Sequence, residues 1–297
     1  MTSRRDIDVV VVAYASQDSL RGCVDPLARL DGVTVTVVDN ASPTDDAATV
    51  SDLPVRVIRA GANHGFGTGC NLGIAAGDSP YVLILNPDTR VDPHALDVLV
   101  ERLEHEDDLA LVAPRLVDSS GELMLSQRSF PRLRTAYAKA LFLHRLRRRA
   151  GWTDDVVGDA GAYERPGRPD WVTGACLLFR RSALELVGGF DERFFLYCEE
   201  TDLCLRLNEA GLAVGYEPAA TVVHDGGGSA PRSSLLWVHA RSRLHYARKH
   251  RSWPAAQVEA VAILLEALTH ALANVRRPAV ARGHAKAAVR LLTPAAD

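Results

Sequence analysis

The chain has 297 residues, 47% hydrophobic and 24% charged, with a formal net charge of -3. This length can bury a full core, the composition is typical of a soluble globular protein, and the charge gives no case for a nucleic-acid partner. The sequence has no run of about 18 or more uncharged apolar residues, so we predict no transmembrane helix.

Five cysteines are scattered along the chain, at positions 23, 70, 176, 198 and 204. No two of them have CxxC spacing, which excludes the usual zinc and thioredoxin-type motifs. The N-terminus carries no apolar secretory segment. These features predict reduced thiols in a cytoplasmic protein.

The first third of the chain alternates strands with helices. Branched apolar runs predict strands at 7–13, 33–38, 55–58 and 81–85, and helices are predicted at 17–30 and between the third and fourth strands. This order predicts an α/β fold with a mostly parallel sheet and helices on both of its faces.

Polar residues follow three of these strands. Tyr14 follows the first, Asp39-Asn40 the second, and Asn86-Pro87-Asp88 the fourth. Pro87 lacks an amide hydrogen and holds Asn86 extended, so the fourth strand must stop there. Each cluster alone is typical of an ordinary turn. Together they predict a binding site, because open α/β sheets bind ligands at the carboxyl ends of their strands.

A glycine-rich loop at 61–73 follows the third strand. Gly65 and Gly67 begin like a dinucleotide fingerprint, but Cys70 occupies the third glycine position and the loop does not follow the first strand. A dinucleotide-dependent dehydrogenase is therefore disfavoured. The glycines instead allow the backbone to approach a nucleotide or sugar closely.

The middle of the chain has uneven charge. A helix is predicted at 93–105, strands at 109–113 and 122–128, and a loop at 151–170. Between them, 128–149 carries eight basic residues: Arg128, Arg132, Arg134, Lys139, Arg145, Arg147, Arg148 and Arg149. Two interpretations stay open, a solvated helix face or a basic amphipathic segment that meets an anionic membrane or a pyrophosphate.

A second acidic cluster follows a predicted strand at 171–179 and a short helix at 182–188. Glu199, Glu200 and Asp202 fall in the first turn of the next helix. Acids are common there because the helix dipole favours negative charge. The preceding aromatic residues also predict desolvation, and a carboxylate with a raised pKa would suit a general base.

The last predicted strands are short, at 213–216 and 221–223, and His224 follows as a candidate ligand. From residue 233 the chain is predicted to be helical. We therefore predict a catalytic domain at 1–230 and a C-terminal helical extension at 231–297. The extension could pack on the main domain, form a homodimer, or lie on a membrane.

In this order and spacing, the motifs resemble the inverting family 2 glycosyltransferases with a GT-A fold, especially bacterial rhamnosyltransferase-like members. The resemblance covers about residues 7–230. The matching segments are 9–14, 37–42, 63–67, 71–73, 85–88, 171–175, 188–192, 197–203 and 224–229.

The resemblance implies a role for each matching position in donor binding. Asp39 would bind the pyrimidine base, and Ala13 and Tyr14 would line the nucleoside pocket. The remaining donor-binding residues would be Asn63, Gly67, Asn71, Asn86 and Asp88. Asn86 replaces the first acid of the family's metal motif, so Asp88 would carry most of the metal binding, with His224 as a further ligand to Mg²⁺ or Mn²⁺.

The resemblance also implies the catalytic and acceptor groups. Glu200 stands where the family has its catalytic base, and because it replaces an aspartate, either Glu200 or Glu199 could act. Trp171, Gly174 and Asp202 would border the acceptor.

The expected donor is a nucleotide sugar such as dTDP-rhamnose, and the expected acceptor is a cell-envelope glycan or a polyprenyl-diphosphate-linked sugar. The enzyme would work in the cytoplasm, at the inner face of the membrane. Two alternatives were weighed. A nucleotidyltransferase would favour a glycine-rich, lysine-bearing loop after the first strand, which 13–16 lacks. A non-catalytic nucleotide-sugar-binding protein would not need the candidate base.

Overall fold

The structure is a computed structural model that describes residues 6–146, 152–226 and 232–293. The chain divides into two compact units. The first contains Met1–Arg128, Asp159–Arg193 and Glu199–Ser229, and the second contains Ser129–Gly158, Phe194–Cys198 and Ala230–Asp297. The second unit therefore includes two internal segments as well as the C-terminal helices.

Within the described residues, eight strands of the first unit form one sheet and two short strands pair separately. In chain order the strands are β1 (Ile7–Ala13), β2 (Val33–Asp39), β3 (Arg56–Arg59), β4 (Tyr81–Leu85), β5 (Thr89–Val91), β6 (Leu109–Val117), β7 (Gln127–Arg128), β8 (Trp171–Val172), β9 (Cys176–Arg180) and β10 (Ala213–His224). The sheet order is β3-β2-β1-β4-β9-β6-β10-β5, and β7 pairs with β8.

The helices belong to both units. The first unit holds α1 (Gln17–Ala28), α2 (Phe66–Ile74), α3 (Pro93–His105), α6 (Arg181–Val187) and α7 (Glu199–Glu209). The second holds α4 (Leu133–Ala140), α5 (Leu143–Leu146), α8 (Arg232–His250), α9 (Trp253–Ala273) and α10 (Pro278–Leu292). The expected α/β class, with a mostly parallel sheet, is confirmed.

The carboxyl ends of six strands meet at one edge of this sheet. In the parallel set, Ala13 pairs with Asp39, Asp39 with Arg59, and Val11 with Leu85. Because β9 is antiparallel to both β4 and β6, the strands β6 and β10 run in the same direction as β4. The last residue of β10, His224, is therefore at the same edge as Asp39.

Strand β1 is covered on both faces. Val9 and Val11 belong to the core that includes apolar residues of α1 and α3. On the other face, a Cβ atom at Gly69 would lie 2.7 Å from Val12 Cγ1, and one at Gly73 would lie 2.2 Å from Val10 Cγ1. Helix α2 can lie directly on the strand only because these two positions have no side chain.

Four expectations about strands were wrong in detail. The predicted strand at 122–128 shortens to β7, and the single strand predicted at 171–179 breaks into β8 and β9. The two strands predicted at 213–216 and 221–223 are one strand, β10, whose register shifts between Glu217 and Thr221. Pro218 lies in that shift, where its missing amide hydrogen is tolerated. Strand β5 was not predicted, since its three residues pair only with β10, far along the chain.

The second unit packs its three long helices around small residues. Ala240 of α8, Ile263 and Ala267 of α9, and Ala287 and Ala288 of α10 form its core. The hydroxyl of Tyr137 on α4 donates to the backbone oxygen of Val258, 2.9 Å away.

Helix α9 differs from the expectation that no segment could span a membrane. Among the described residues it alone is long and apolar enough to do so by length and composition. Its two acids, Glu259 and Glu266, had been taken to exclude a span. In the structure both are ion-paired, with Arg251 and Arg243 respectively.

The packing of α2 on β1 generates a stability prediction. We expect Gly73→Ala to lower the free energy of unfolding by about 1–3 kcal/mol, the usual cost of overpacking a core. Gly22→Ala is the matched control, since Gly22 lies within α1 with open space around it, and there alanine should stabilise the helix by ~1 kcal/mol. Urea unfolding followed by circular dichroism measures both. Parent-like stability of Gly73→Ala would contradict this account of the packing.

Candidate functional site

The end of β2 presents a buried carboxylate. Asp39 is buried, its Oδ1 accepts a hydrogen bond from the backbone nitrogen of Ser42 at 2.9 Å, and its Oδ2 lies 3.3 Å from Arg59 Nη1. Residue Ala41 between them has a left-handed φ of 59°. A tight turn therefore fixes the predicted base-binding carboxylate at the edge of the sheet.

The next residue, Asn40, joins the end of β2 to the glycine-rich loop. Its buried Nδ2 donates to Asn63 Oδ1 at 3.1 Å and to the backbone oxygen of Gly65 at 3.0 Å. Its Oδ1 accepts from the backbone nitrogen of His64 at 3.1 Å. Sequence reasoning gave Asn40 no role, although its position directly after Asp39 was the available signal.

The turn after β1, which carries the predicted nucleoside-lining residue Tyr14, is held by Asp46. The nitrogen and Oγ of Ser16 donate to Asp46 Oδ2 at 2.5 and 2.9 Å, and Thr44 Oγ1 donates to Oδ1 at 2.8 Å. Burial alone would raise the pKa of Asp46, but these hydrogen bonds outweigh it and lower the pKa. The turns that follow β1 and β2 are therefore joined through one ionised carboxylate.

The first turns of α2 contact the segment that precedes α7. Gly67 lies so close that an added Cβ would be 3.2 Å from Phe190 Cβ and 3.7 Å from Glu199 Cβ. The Asn71 side chain donates from Nδ2 to the backbone oxygen of Phe190 at 2.9 Å and to Glu192 Oε1 at 3.0 Å, and its Oδ1 accepts from Phe190 nitrogen at 3.0 Å. The amide of Asn71 thus holds the loop that leads towards α7.

Asp88 and His224 meet at the edge of the sheet. Strands β5 and β10 pair antiparallel, with Thr89 opposite His224. The backbone nitrogen of Asp225 donates to the oxygen of Asp88 at 3.0 Å, and Arg90 forms two hydrogen bonds with the Asp225 carboxylate at 2.7 and 3.0 Å. As a result, Asp88 Oδ1 lies 3.2 Å from His224 Nε2.

This separation fits two ligands of one divalent cation. Adjacent ligands of an octahedral ion, each about 2.1 Å from the metal, are about 3.0 Å apart. His224 Nδ1 is enclosed and has no hydrogen-bond partner among the described residues. In that part of the chain no group of three or more His, Cys, Asp or Glu side chains could hold a metal. The protein therefore supplies two ligands, and substrate oxygens must supply others.

The backbone of Asn86 connects this pair to the predicted acceptor segment. Asn86 nitrogen donates to the backbone oxygen of Ala175 at 2.9 Å, directly after Gly174. Asn86 oxygen accepts from the nitrogen of Thr89 at 3.2 Å, which turns the chain into β5. The predicted metal and acceptor segments are thus neighbours.

Glu199 and Glu200 begin α7 in a desolvated environment. Oε2 of each is enclosed and has no hydrogen-bond partner within the described residues. Burial, followed by the charge of Glu200, raises the pKa of Glu199 well above its usual value. Burial also raises the pKa of Glu200, although the backbone amides of Glu200 and Thr201 and the charge of Arg128 oppose this. Such a carboxylate suits proton abstraction near neutral pH.

Arg128 is the functional neighbour that sequence reasoning misplaced. It was grouped with the basic segment 128–149, but in the structure it ends β7, pairs with Trp171 of β8, and acts electrostatically on Glu200. Its place at the end of a predicted strand was the signal that set it apart from the other basic residues.

Asp202 is fully buried, and its Oδ2 accepts from Arg206 Nε at 2.8 Å. The same guanidinium donates to the backbone oxygens of Val187 and Gly189, at 2.6 and 2.8 Å. This arrangement fixes α7 against the end of α6.

Comparison with known proteins agrees with these features. The family model described as Glycosyl transferase family 2 matches residues 8–187. The N-acetylglucosaminyl-diphospho-decaprenol L-rhamnosyltransferase of Mycobacterium tuberculosis is 34% identical over 266 residues, which cover 83% of this chain and 86% of that protein. A rhamnosyltransferase of Escherichia coli is 29% identical over 175 residues, 55% of this chain and 62% of that protein.

Among solved structures, a mannosyltransferase of Pyrobaculum calidifontis in complex with GDP-Man and Mn²⁺ has a TM-score of 0.57. The likeness covers 99% of this chain and 82% of that one at 18% identity, and so concerns the fold. The family match spans more than half of the chain, and the sheet agrees with it. The chain belongs to glycosyl transferase family 2, and its sheet has the GT-A fold.

Proposed function

We propose that this glycosyltransferase moves a sugar, rhamnose first among the candidates, from a nucleotide-sugar donor to a hydroxyl of a polyprenyl-diphosphate-linked cell-envelope acceptor, with inversion at the anomeric carbon. The observation that carries the proposal is the pairing of Asp88 with His224 at the edge of the sheet where Asp39 also ends its strand. The relatives named rhamnosyltransferases support the sugar, and the decaprenol-linked name of one supports the acceptor class.

The donor would bind along the ends of β1 and β2. Asp39 would accept a hydrogen bond from the pyrimidine base, with Ala13 and Tyr14 lining the nucleoside pocket. The loop held by Asn40 brings Asn63 to the same edge, and the bare backbone at Gly67 leaves room for the donor sugar. Asn71, whose amide is engaged with Phe190, would act by holding this arrangement.

Asp88 and His224 would hold a divalent cation, Mg²⁺ or Mn²⁺, with Asn86 beside them. When bound, the cation would offset the negative charge that develops on the departing nucleoside diphosphate. The single carboxylate fits a site completed by the diphosphate oxygens, as hard cations commonly bind in nucleotide enzymes.

Glu200 is the better candidate for the base. Glu199 is only 4% exposed and lies against Gly67, whereas Glu200 is partly exposed and can be reached by an acceptor. Glu200 would take the proton of the acceptor hydroxyl as that oxygen bonds to the anomeric carbon. The bond from that carbon to the diphosphate oxygen breaks, and its electron pair leaves with the nucleoside diphosphate.

The acceptor would approach past Trp171 and Gly174. Trp171 pairs with Arg128, and Gly174 directly precedes the residue that accepts from Asn86. Asp202 would contribute by holding α7 through Arg206. With an acceptor anchored in lipid, the enzyme would work at the cytoplasmic face of the cell membrane.

The proposed cation site predicts a loss of metal-dependent donor binding in Asp88→Ala, because one of its two protein ligands is removed. Calorimetric titration of nucleoside diphosphate, with Mn²⁺ and again with EDTA, should give a large difference for the parent and little or none for the variant. Asp118→Ala is the control, since Asp118 caps an exposed turn through Ser120 and Glu122. The site is wrong if Asp88→Ala responds to EDTA as the parent does.

The position of Arg128 predicts a shift in the pH dependence of activity. A base must be deprotonated to act, so activity falls as the pH drops through the raised pKa of Glu200. Arg128 lowers that pKa, and Arg128→Gln should therefore move the acid limb of kcat to higher pH. Arg168→Gln, which removes ion pairs to Glu106 and Asp108, should leave the limb in place. An unmoved limb in Arg128→Gln would separate Arg128 from the base.

The function itself is tested by sugar transfer. Purified enzyme with Mn²⁺ is supplied with dTDP-rhamnose, or with UDP- and GDP-sugars, and with a polyprenyl-diphosphate-linked N-acetylglucosamine, and the lipid product is analysed by mass spectrometry. We expect transfer from dTDP-rhamnose, and Glu200→Gln should slow it at least about a hundredfold with nucleotide binding intact.

Two results of this assay would count against the proposal. Transfer from another donor alone would replace rhamnose, and transfer only to a soluble acceptor would replace the lipid-linked class. Parent-like turnover in Glu200→Gln would exclude Glu200 as the base and direct attention to Glu199→Gln.

A further inference from the structure

The three helices of the second unit have an unusual balance of charge. Residues 232–293 contain eleven lysines and arginines and only two acids, Glu259 and Glu266. Glu259 is buried and paired with Arg251, and Glu266 Oε2 lies 2.7 Å from Arg243 Nη1. Both acids are therefore neutralised inside the unit, and the solvent-facing side of these helices is basic.

Helix α9 carries an exposed apolar face. Val258, Val261, Leu268, Leu272 and Val275 are exposed and recur every three or four residues, with Leu272 74% exposed. This spacing places them on one side of a helix. The side that carries Ile263 and Ala267 packs in the core. Trp253, 76% exposed, begins the helix, and Val289 and Leu292 of α10 are also exposed.

Charge and apolar surface are arranged together. From Trp253 to Val275 the acids are the two that are already paired, and Arg276 and Arg277 follow directly and are exposed. On α10, Arg282, Lys286 and Arg290 are exposed one turn apart. A tryptophan at one end, an uncharged face and flanking basic residues are the features of a helix that lies in the plane of an anionic membrane surface.

Two other occupants fit less well. A second copy placed on the same face would bring the basic residues of both copies together, with no exposed acid in 232–293 to pair with them. A transmembrane course for α9 would expose its inner face, which packs on α4, α8 and α10, and would take Glu259 and Glu266 into lipid.

We propose that the exposed face of α9, with the basic residues of α10, docks this protein on an anionic phospholipid surface. The apolar side chains enter the headgroup boundary, and Arg276, Arg277, Arg282, Lys286 and Arg290 meet lipid phosphates. This assigns membrane contact to a surface other than the basic segments 128–149 and 241–251 expected from the sequence. The inference extends the proposed lipid-linked acceptor, but it can be tested without donor or acceptor.

The test is co-sedimentation of the full-length protein with vesicles of phosphatidylglycerol and phosphatidylcholine, or of phosphatidylcholine alone. We expect binding to the anionic vesicles that weakens with salt. The triple variant Val261→Ser, Leu268→Ser, Leu272→Ser should bind at least about tenfold more weakly. Leu186→Ser is the matched control, because Leu186 is an equally exposed leucine, 65% exposed, on α6 of the first unit.

A second measurement guards against a folding defect in the triple variant. Trp253 should give a blue shift of fluorescence on anionic vesicles, and Trp253→Phe should remove that shift. Absence of vesicle binding by the parent overturns the proposal, as does unchanged binding of the triple variant. A parent that dimerises without binding vesicles, and a triple variant that is monomeric in sedimentation velocity, would assign the face to a second copy. Transfer activity on a lipid-linked acceptor without vesicle binding would overturn this inference and leave the proposed function intact.

Discussion

The close approach of α2 to β1 is the constraint on which the rest of the site depends. Gly69 and Gly73 leave no side chain between the helix and the strand, so the helix axis is set by Val10 and Val12. The same helix begins at Gly65, which Asn40 holds at the end of β2, and its next glycine, Gly67, rests against Glu199. Packing in the core therefore fixes how far the nucleotide loop stands from the acidic helix.

The two acidic centres of the site are built for opposite tasks. Asp88 is held next to an imidazole by a β ladder and by the ion pair of Arg90 with Asp225, an arrangement that favours charge and metal binding. Glu199 and Glu200 sit at the start of a helix, where the dipole favours charge, yet burial outweighs this and raises both pKa values. A carboxylate that gives up charge easily can accept a proton from a hydroxyl, while one that keeps it can hold a cation.

Local chemistry allowed much of this to be predicted. The strand ends at Asp39 and Asn86, the glycine loop and the acidic first turn of α7 are each visible as short runs of residues, and parallel strands bring their ends to one edge. Long-range pairing was not visible. Strand β5 forms only because β10 lies beside it, Arg128 approaches Glu200 through the β7–β8 pair, and the inward turn of Glu259 and Glu266 depends on arginines eight and 23 residues away.

The pairing of β5 with β10 has a consequence for biosynthesis. Asp39 and Asp88 leave the ribosome early, but the partner of Asp88, His224, is at the end of the last strand of the sheet. A nascent chain that ends before this strand lacks both the ladder partner of β5 and the imidazole. The proposed cation site is thus absent from partly made chains, and nucleotide binding at it becomes a property of the completed sheet. Free donor in the cell would then stabilise finished molecules and leave incomplete ones to proteolysis.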